Sequence, residues 1–299
     1  MSSASWDALA VAAKAVTYAA TLGAAGGVFF LAYGRSLLRS ADRLSIRGLV
    51  RMFMCVSVLA SGARILITAG AMSGAASGLA DTGLLRMVWQ AGEGRAFIVR
   101  TAGLLLAAPA AMVDRRPAVW ALLGAAAAAT SFASIGHVHA MSSGWPILLV
   151  GVHLLGVAFW LGALGPLLLL ARHDDPRRVA APAARFGRAA AAAVSALILC
   201  GACLLWLMIG HVSELWNSDY GRTAAVKLGF VACLLGCAAF NKLRLTPRLE
   251  AGDAAAARSL RKSIRAEIAL AALILSITAS MTTLTGPPAP GSGPQQRSD

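Results

Sequence analysis

Long apolar runs separated by short polar or basic segments recur from one end of the chain to the other. One bilayer crossing needs roughly 20 apolar residues in helical form, because the hydrocarbon core is about 30 Å thick and a helix rises 1.5 Å per residue. Runs of that length fall at 8–33, 49–72, 95–113, 118–137, 146–171, 187–211, 222–241 and 266–285, each broken by at most one or two basic residues. They are rich in Ala and Leu and lack the alternation of barrel strands, so the pattern predicts helices, which satisfy their own backbone hydrogen bonds in lipid. The expected fold is all-α: a polytopic membrane helix bundle of about eight transmembrane helices. Residues 1–285 form one transmembrane domain, and the Pro-, Gly- and Ser-rich segment 286–299 is expected to be a disordered tail.

With 58% hydrophobic and 13% charged residues, the chain cannot cover a water-soluble globule with polar surface. The formal charge of +14 would suit nucleic acid, but its placement argues otherwise. Arg35, Arg39, Arg43 and Arg47 fall between the first two runs with Arg51 just inside the second, and Arg115 and Arg116 fall between the third and fourth. Arg172, Arg177, Arg178, Arg185 and Arg188 follow the fifth, and Lys242, Arg244, Arg248, Arg258, Arg261, Lys262 and Arg265 the seventh. Simple alternation puts all of these on one side, against Arg86, Arg95, Arg222 and Arg297 on the other, so the basic side is expected to be cytoplasmic and both termini periplasmic. The basic excess is then a topology signal and a contact for anionic lipid, with no nucleic-acid partner implied. Trp6, Trp89, Trp145 and Trp216 near the opposite ends of the runs suit an interfacial aromatic belt. The first run is too long, and lacks the flank and cleavage site, for a removable signal peptide.

Gly94-Arg95, followed five residues on by Arg100, opens the third run, and Gly221-Arg222, followed by Lys227, opens the seventh. Four helices per unit would point both copies the same way, which suggests a parallel 4+4 repeat.

Four of the five histidines fall in the outer half of this topology: His137, His139, His153 and His211. An imidazole inside a span needs a hydrogen-bond or metal partner, which makes His153, about two turns into the fifth run, the leading candidate. His173 lies in the charged loop and reads as solvated. Imidazole suits copper, zinc and haem iron, and the thioethers of Met141 and Met208 would shift the preference toward Cu(I). Cys55, Cys200, Cys203, Cys233 and Cys237 all fall within runs, as free thiols without a disulfide framework. Cys200 and Cys203 share one helical face, as do Cys233 and Cys237; the pairs read either as a Cu(I) relay or as small packing residues. Arg64, Arg100 and Lys227, inside their spans, call for snorkelling or a buried acid, with Glu93 and Glu214 as the candidates. No catalytic triad, Walker loop, dinucleotide fingerprint or His-Glu-x-x-His helix is present in the sequence, so no enzymatic activity is expected.

Taken together, Tyr220-Gly221-Arg222 with Lys227, Asn241, Pro247, Leu260-Arg261-Lys262-Ser263-Ile264-Arg265-Ala266-Glu267 and Thr285 before Pro287-Pro288 resemble the copper resistance protein D family of bacterial inner-membrane proteins. The likeness is strongest over 186–288. It extends upstream through His153, Trp160, Gly162 and Pro166 and through Gly94-Arg95 with Arg100, while the first two helices match only in hydropathy. The resemblance implies copper transport and homeostasis: copper, as Cu(I) or Cu(II), is taken from the periplasm toward the cytoplasm, with a separate CopC-type carrier as partner. It fixes no ligand set. The candidate metal ligands are His137, His153 and His211, assisted by His139, Met141 and Met208, with Cys200, Cys203, Cys233 and Cys237 as a thiol relay. A b-type haem protein and a non-transporting copper holder are the rival readings.

Overall fold

The computed structural model describes residues 2–134, 144–172 and 175–284. The described chain consists of helices and their connections: α1 Ser3–Gly34, α2 Ser40–Ser73, α3 Thr82–Gln90, α4 Gly92–Met112, α5 Val119–Thr130, α6 Trp145–Leu170, α7 Pro176–Ile209, α8 Glu214–Asn217, α9 Asp219–Phe240, α10 Thr246–Glu250 and α11 Ala254–Leu284. Seven of the apolar runs form helices long and apolar enough to cross a membrane. The eighth, expected at 118–137, appears as the short apolar helix Val119–Ala133, and the rest of that run lies outside the described residues, as do His137, His139, Met141, His173 and the tail 286–299. The protein is an all-α polytopic membrane bundle.

Two boundaries differ from the sequence reading. The basic segments taken for loops are largely helical: Arg43, Arg47 and Arg51 lie on α2, Arg177 to Arg188 on α7, and Arg258 to Arg265 on α11. A helix of about 34 residues is about 50 Å long, so it outreaches a 30 Å hydrocarbon core and carries its arginines beyond it. The Gly/Ser-rich stretch after α2 is also structured. Gly74 ends α2 at a φ of 69°, and Asp81 then caps α3 by accepting from the Gly83 and Leu84 amides at 2.8 and 3.0 Å.

α1 is the centre of the bundle, packing on α2, α4, α5, α6 and α11. In its most apolar stretch 61% of residues are buried, against 6% for α7, so α1 lies inside the bundle and α7 at its edge. The crossing of α1 and α6 is made by glycines. A Cβ on Gly26 would stand 1.8 Å from the Ala158 carbonyl oxygen, and one on Gly162 2.3 Å from the Gly26 Cα, so only hydrogen permits this backbone approach. Lipid supplies no hydrophobic force between helices, and close van der Waals contact replaces it.

The first four long helices close on themselves, with α2 packed on α4 and α4 on α5. In the second half α6 packs on α7, and α9 on α11, but α7 and α9 share no packed interface. α10 bridges to α7 at the arginine-rich end. The halves thus share an order of helices but not a degree of closure.

At the arginine-rich end, Asp114 receives Arg35 Nη1 at 2.8 Å and Arg43 Nε at 3.0 Å, and Asp42 receives Arg178 Nη2 at 2.8 Å. The hydrogen bonds from Arg43 and Arg35 hold the Asp114 carboxyl at about 2, below its usual 3.8. A folded-state value below the unfolded one means that the stabilisation is complete above about 3.8 and is lost as pH falls toward 2. Asp114→Asn is therefore expected to lower the melting temperature at neutral pH. The gap to wild type should narrow between about pH 4 and 2, as followed by thermal unfolding across pH.

Candidate functional site

The chemistry-bearing residues gather in the looser second half. α6 opens with Pro146 in its first turn, where the missing amide costs nothing, and two turns on carries His153 toward α7. The ring lies beside Gly201: a Cβ there would stand 3.5 Å from His153 Cε1 and 3.8 Å from Nδ1, in ordinary van der Waals contact with it. One turn along, Leu197 of α7 presses on Gly156 of α6, where a Cβ would stand 2.9 Å from Leu197 Cγ. His153–Gly201 and Leu197–Gly156 interlock the two helices.

His153 Nδ1 is buried and has no hydrogen-bond partner. The Leu197 backbone lies within reach of the ring, and the Lys227 ammonium of α9 acts on it. A buried ring nitrogen in a membrane span is costly to leave unpaired, which makes His153 the candidate position for a ligand.

Lys227 is placed by the second Gly-Arg motif, and the two motifs are built alike. A Cβ on Gly94 would fall 2.0 Å from the Trp89 carbonyl oxygen, and one on Gly221 2.0 Å from that of Glu214. Each glycine lets the opening turn of a spanning helix press on the short helix before it, α3 or α8, which sets the direction of the cation six residues further along. The sequence repeat is thus a repeated clasp. Glu214 forms no ion pair with Lys227, whereas Arg64 does bond Glu93, Nη2 to Oε1 at 2.5 Å.

The other candidates are spread out. Met208 is half-buried on α7, and His211 is exposed just past it, where Gly210 ends the helix at a φ of 68°. From Gly201 to His211 is ten residues, about 15 Å along α7, so His153 and His211 stand at different depths. Among the described residues no three His, Cys, Asp or Glu side chains gather closely enough to hold a metal ion. Cys200 and Cys203 flank Gly201 and are half-buried; Cys233 is exposed and Cys237 half-buried on α9. All are free thiols, and the separation of α7 from α9 keeps the two pairs apart. An axial pair for haem from His153 and His211 does not fit this spacing.

One feature of this half was not evident from the sequence. Glu267 of α11 is 2% exposed and accepts from the Asn241 side-chain amide, at the start of the one-turn π-helix Asn241–Leu245 that ends α9. Both residues belong to the stretch that carries the family resemblance, but their contact joins helices far apart in sequence.

Comparison with known proteins decides the family. The model of the family described as Copper resistance protein D matches residues 180–281, and that of the Copper resistance protein D-like N-terminal domain matches 3–150. Copper resistance protein D of Pseudomonas syringae pv. tomato is 31% identical over 280 residues, 85% of this chain and 90% of that protein. The chain belongs to the copper resistance protein D family. The match to the N-terminal model takes in α1 and α2, which the resemblance had covered only in hydropathy. Copper transport protein CutJ of Bacillus subtilis (strain 168) is 26% identical over 152 residues, half of this chain and 27% of that longer protein. No solved structure matches. As a member of the copper resistance protein D family, this is a copper-related multi-pass membrane protein.

The clasps carry a direct test. Gly94→Ala and Gly221→Ala each place a methyl 2.0 Å from a carbonyl oxygen, and each is expected to cost about 1–3 kcal/mol, lowering the melting temperature by several degrees. Gly229→Ala, with nothing within 4 Å of the new methyl, should match or slightly exceed wild type in the same thermal unfolding assay.

Proposed function

We propose that the protein takes copper from the periplasmic face of the inner membrane and moves it toward the cytoplasm, with His153 as a ligand on the path. The observation that carries this reading is the His153 imidazole itself, buried within a span with no hydrogen-bond partner on Nδ1. The family and the names of its relatives supply the metal, and neutral imidazole binds copper well. The arginine-rich ends of α2, α7 and α11 and the α10 segment face the cytoplasm by the positive-inside rule, which puts α3, α8 and the start of α6 outside.

Copper then enters at the α8 end. Met208 and His211, at the outer end of α7, stand on the approach to His153, and His137, His139 and Met141, outside the described residues, are further candidate ligands. A separate CopC-type carrier fits as the donor. Inward passage needs no nucleotide, because a cation moving to a negative interior gains roughly 2.3 kcal/mol per charge per 100 mV. The thiols of Cys200 and Cys203, on either side of Gly201, lie at the level of His153; those of Cys233 and Cys237 are on α9. Lys227 facing the site disfavours a resident cation, which suits a residue that passes its metal on rather than storing it.

The test is copper binding to the purified, detergent-solubilised protein, with its visible spectrum, beside His153→Ala. About one copper per chain with no Soret band is expected, and the variant should bind at least roughly 10–100-fold more weakly. Copper retained at full affinity by His153→Ala, or a Soret band with iron, would overturn the assignment.

A further inference from the structure

The first half holds a second set of buried charges. Arg64 of α2 and Glu93 of α4 form an ion pair with side chains 7% and 21% exposed. Arg100, two turns further along α4, is 2% exposed and does not share that carboxylate. Its Nε donates to Ser131 Oγ at 3.1 Å and its Nη1 to Ser61 Oγ at 2.8 Å, while the guanidinium carbon lies 4.2 Å above the Phe132 ring. Nη2 is buried without a hydrogen-bond partner. Lys14 of α1 donates to the Thr282 carbonyl at 2.9 Å and feels the charges of both Arg64 and Glu93.

Three cations therefore lie in the field of one carboxylate, and that carboxylate is bonded to Arg64. The hydrogen-bond acceptors of Arg100 are neutral hydroxyls, which satisfy N–H groups but supply no countercharge. A cation at this depth, shielded from water and without an anion, is strongly disfavoured, and an orphaned guanidinium N–H adds to the cost. Anchoring the helix does not account for it, because an anchoring arginine snorkels to the interface whereas this one is closed in by Ser61, Ser131 and Phe132.

We propose that Arg100 is the heart of an anion-binding site that takes a small inorganic anion, chloride in the first instance. The anion accepts from Arg100 Nη2, within the field of Arg64 and Lys14. The enclosure by two serines and a phenylalanine selects a monatomic ion over a phospholipid headgroup. The partly exposed side chain of Glu93 marks the side from which it enters. The second Gly-Arg motif places Lys227 at the corresponding position, and there the neighbour is His153. The repeated clasp thus presents one cation to an anion and the other to the metal path. The anion site stands whether or not the protein carries copper.

The experiment uses the full chain, purified in detergent without added lipid, at constant ionic strength in sodium chloride or sodium gluconate. Chloride at about five times its dissociation constant should raise the melting temperature by roughly 2–4 °C, saturating with concentration. Arg100→Gln should lose that dependence, and Arg100→Lys should keep part of it. Because Arg100→Gln could fail to fold, equilibrium dialysis of radioactive chloride against wild type gives a second reading, with about one ion retained per chain at saturation. Equal melting in chloride and gluconate together with no retained chloride overturns the proposal. So does stabilisation by phosphatidylglycerol vesicles that chloride does not reproduce, which would make the ligand a lipid phosphate.

Discussion

The Gly26–Gly162 crossing is the contact on which the rest of the bundle hangs. It brings the backbones of α1 and α6 to a separation that no side chain permits, and those two helices are the first of each half. With α1 buried against α6, α2 and α11, the apolar core forms around it, and the later helices of each half fan outward. In lipid such contacts must come from close packing and from polar groups satisfied inside the protein, because burying apolar surface gains nothing over contact with lipid tails.

The two halves use this frame differently. In the first, α2 closes on α4, and the interior fills with an arginine, hydroxyls and an ion pair. In the second, α7 and α9 share no packed interface, and the buried polar groups include His153 and Lys227, the ammonium acting on the ring. One clasp, glycine against a short helix, aims a cation inward in each half, and the packing of the neighbouring helix decides what that cation meets. A closed half suits a fixed internal charge structure; an open half suits a route along which something passes.

Much of this was legible in the chain. The apolar runs marked the helices, because lipid imposes one length and one backbone form, and His153 was conspicuous as an imidazole in such a run. The Arg64–Glu93 pair followed from the need of a buried arginine for an acid. The partners of Arg100 did not, because Ser61 and Ser131 resemble any small residue of a helix interface until helix rotations are known. The basic segments looked like loops because charge ends an apolar run without ending a helix. The distance between His153 and His211 was hidden as well, since both stood in the outer half by hydropathy, and only the register of α7 against α6 separates them.

The central claim is that the groove beside His153 conducts copper inward. Its most direct test is radioactive copper uptake into proteoliposomes holding a potassium diffusion potential, negative on the side of the arginine-rich ends. The account predicts uptake that rises with the potential and falls to the protein-free background in His153→Ala. Copper bound to the protein but never released to the lumen, at any potential, would contradict it and leave a protein that holds copper without moving it.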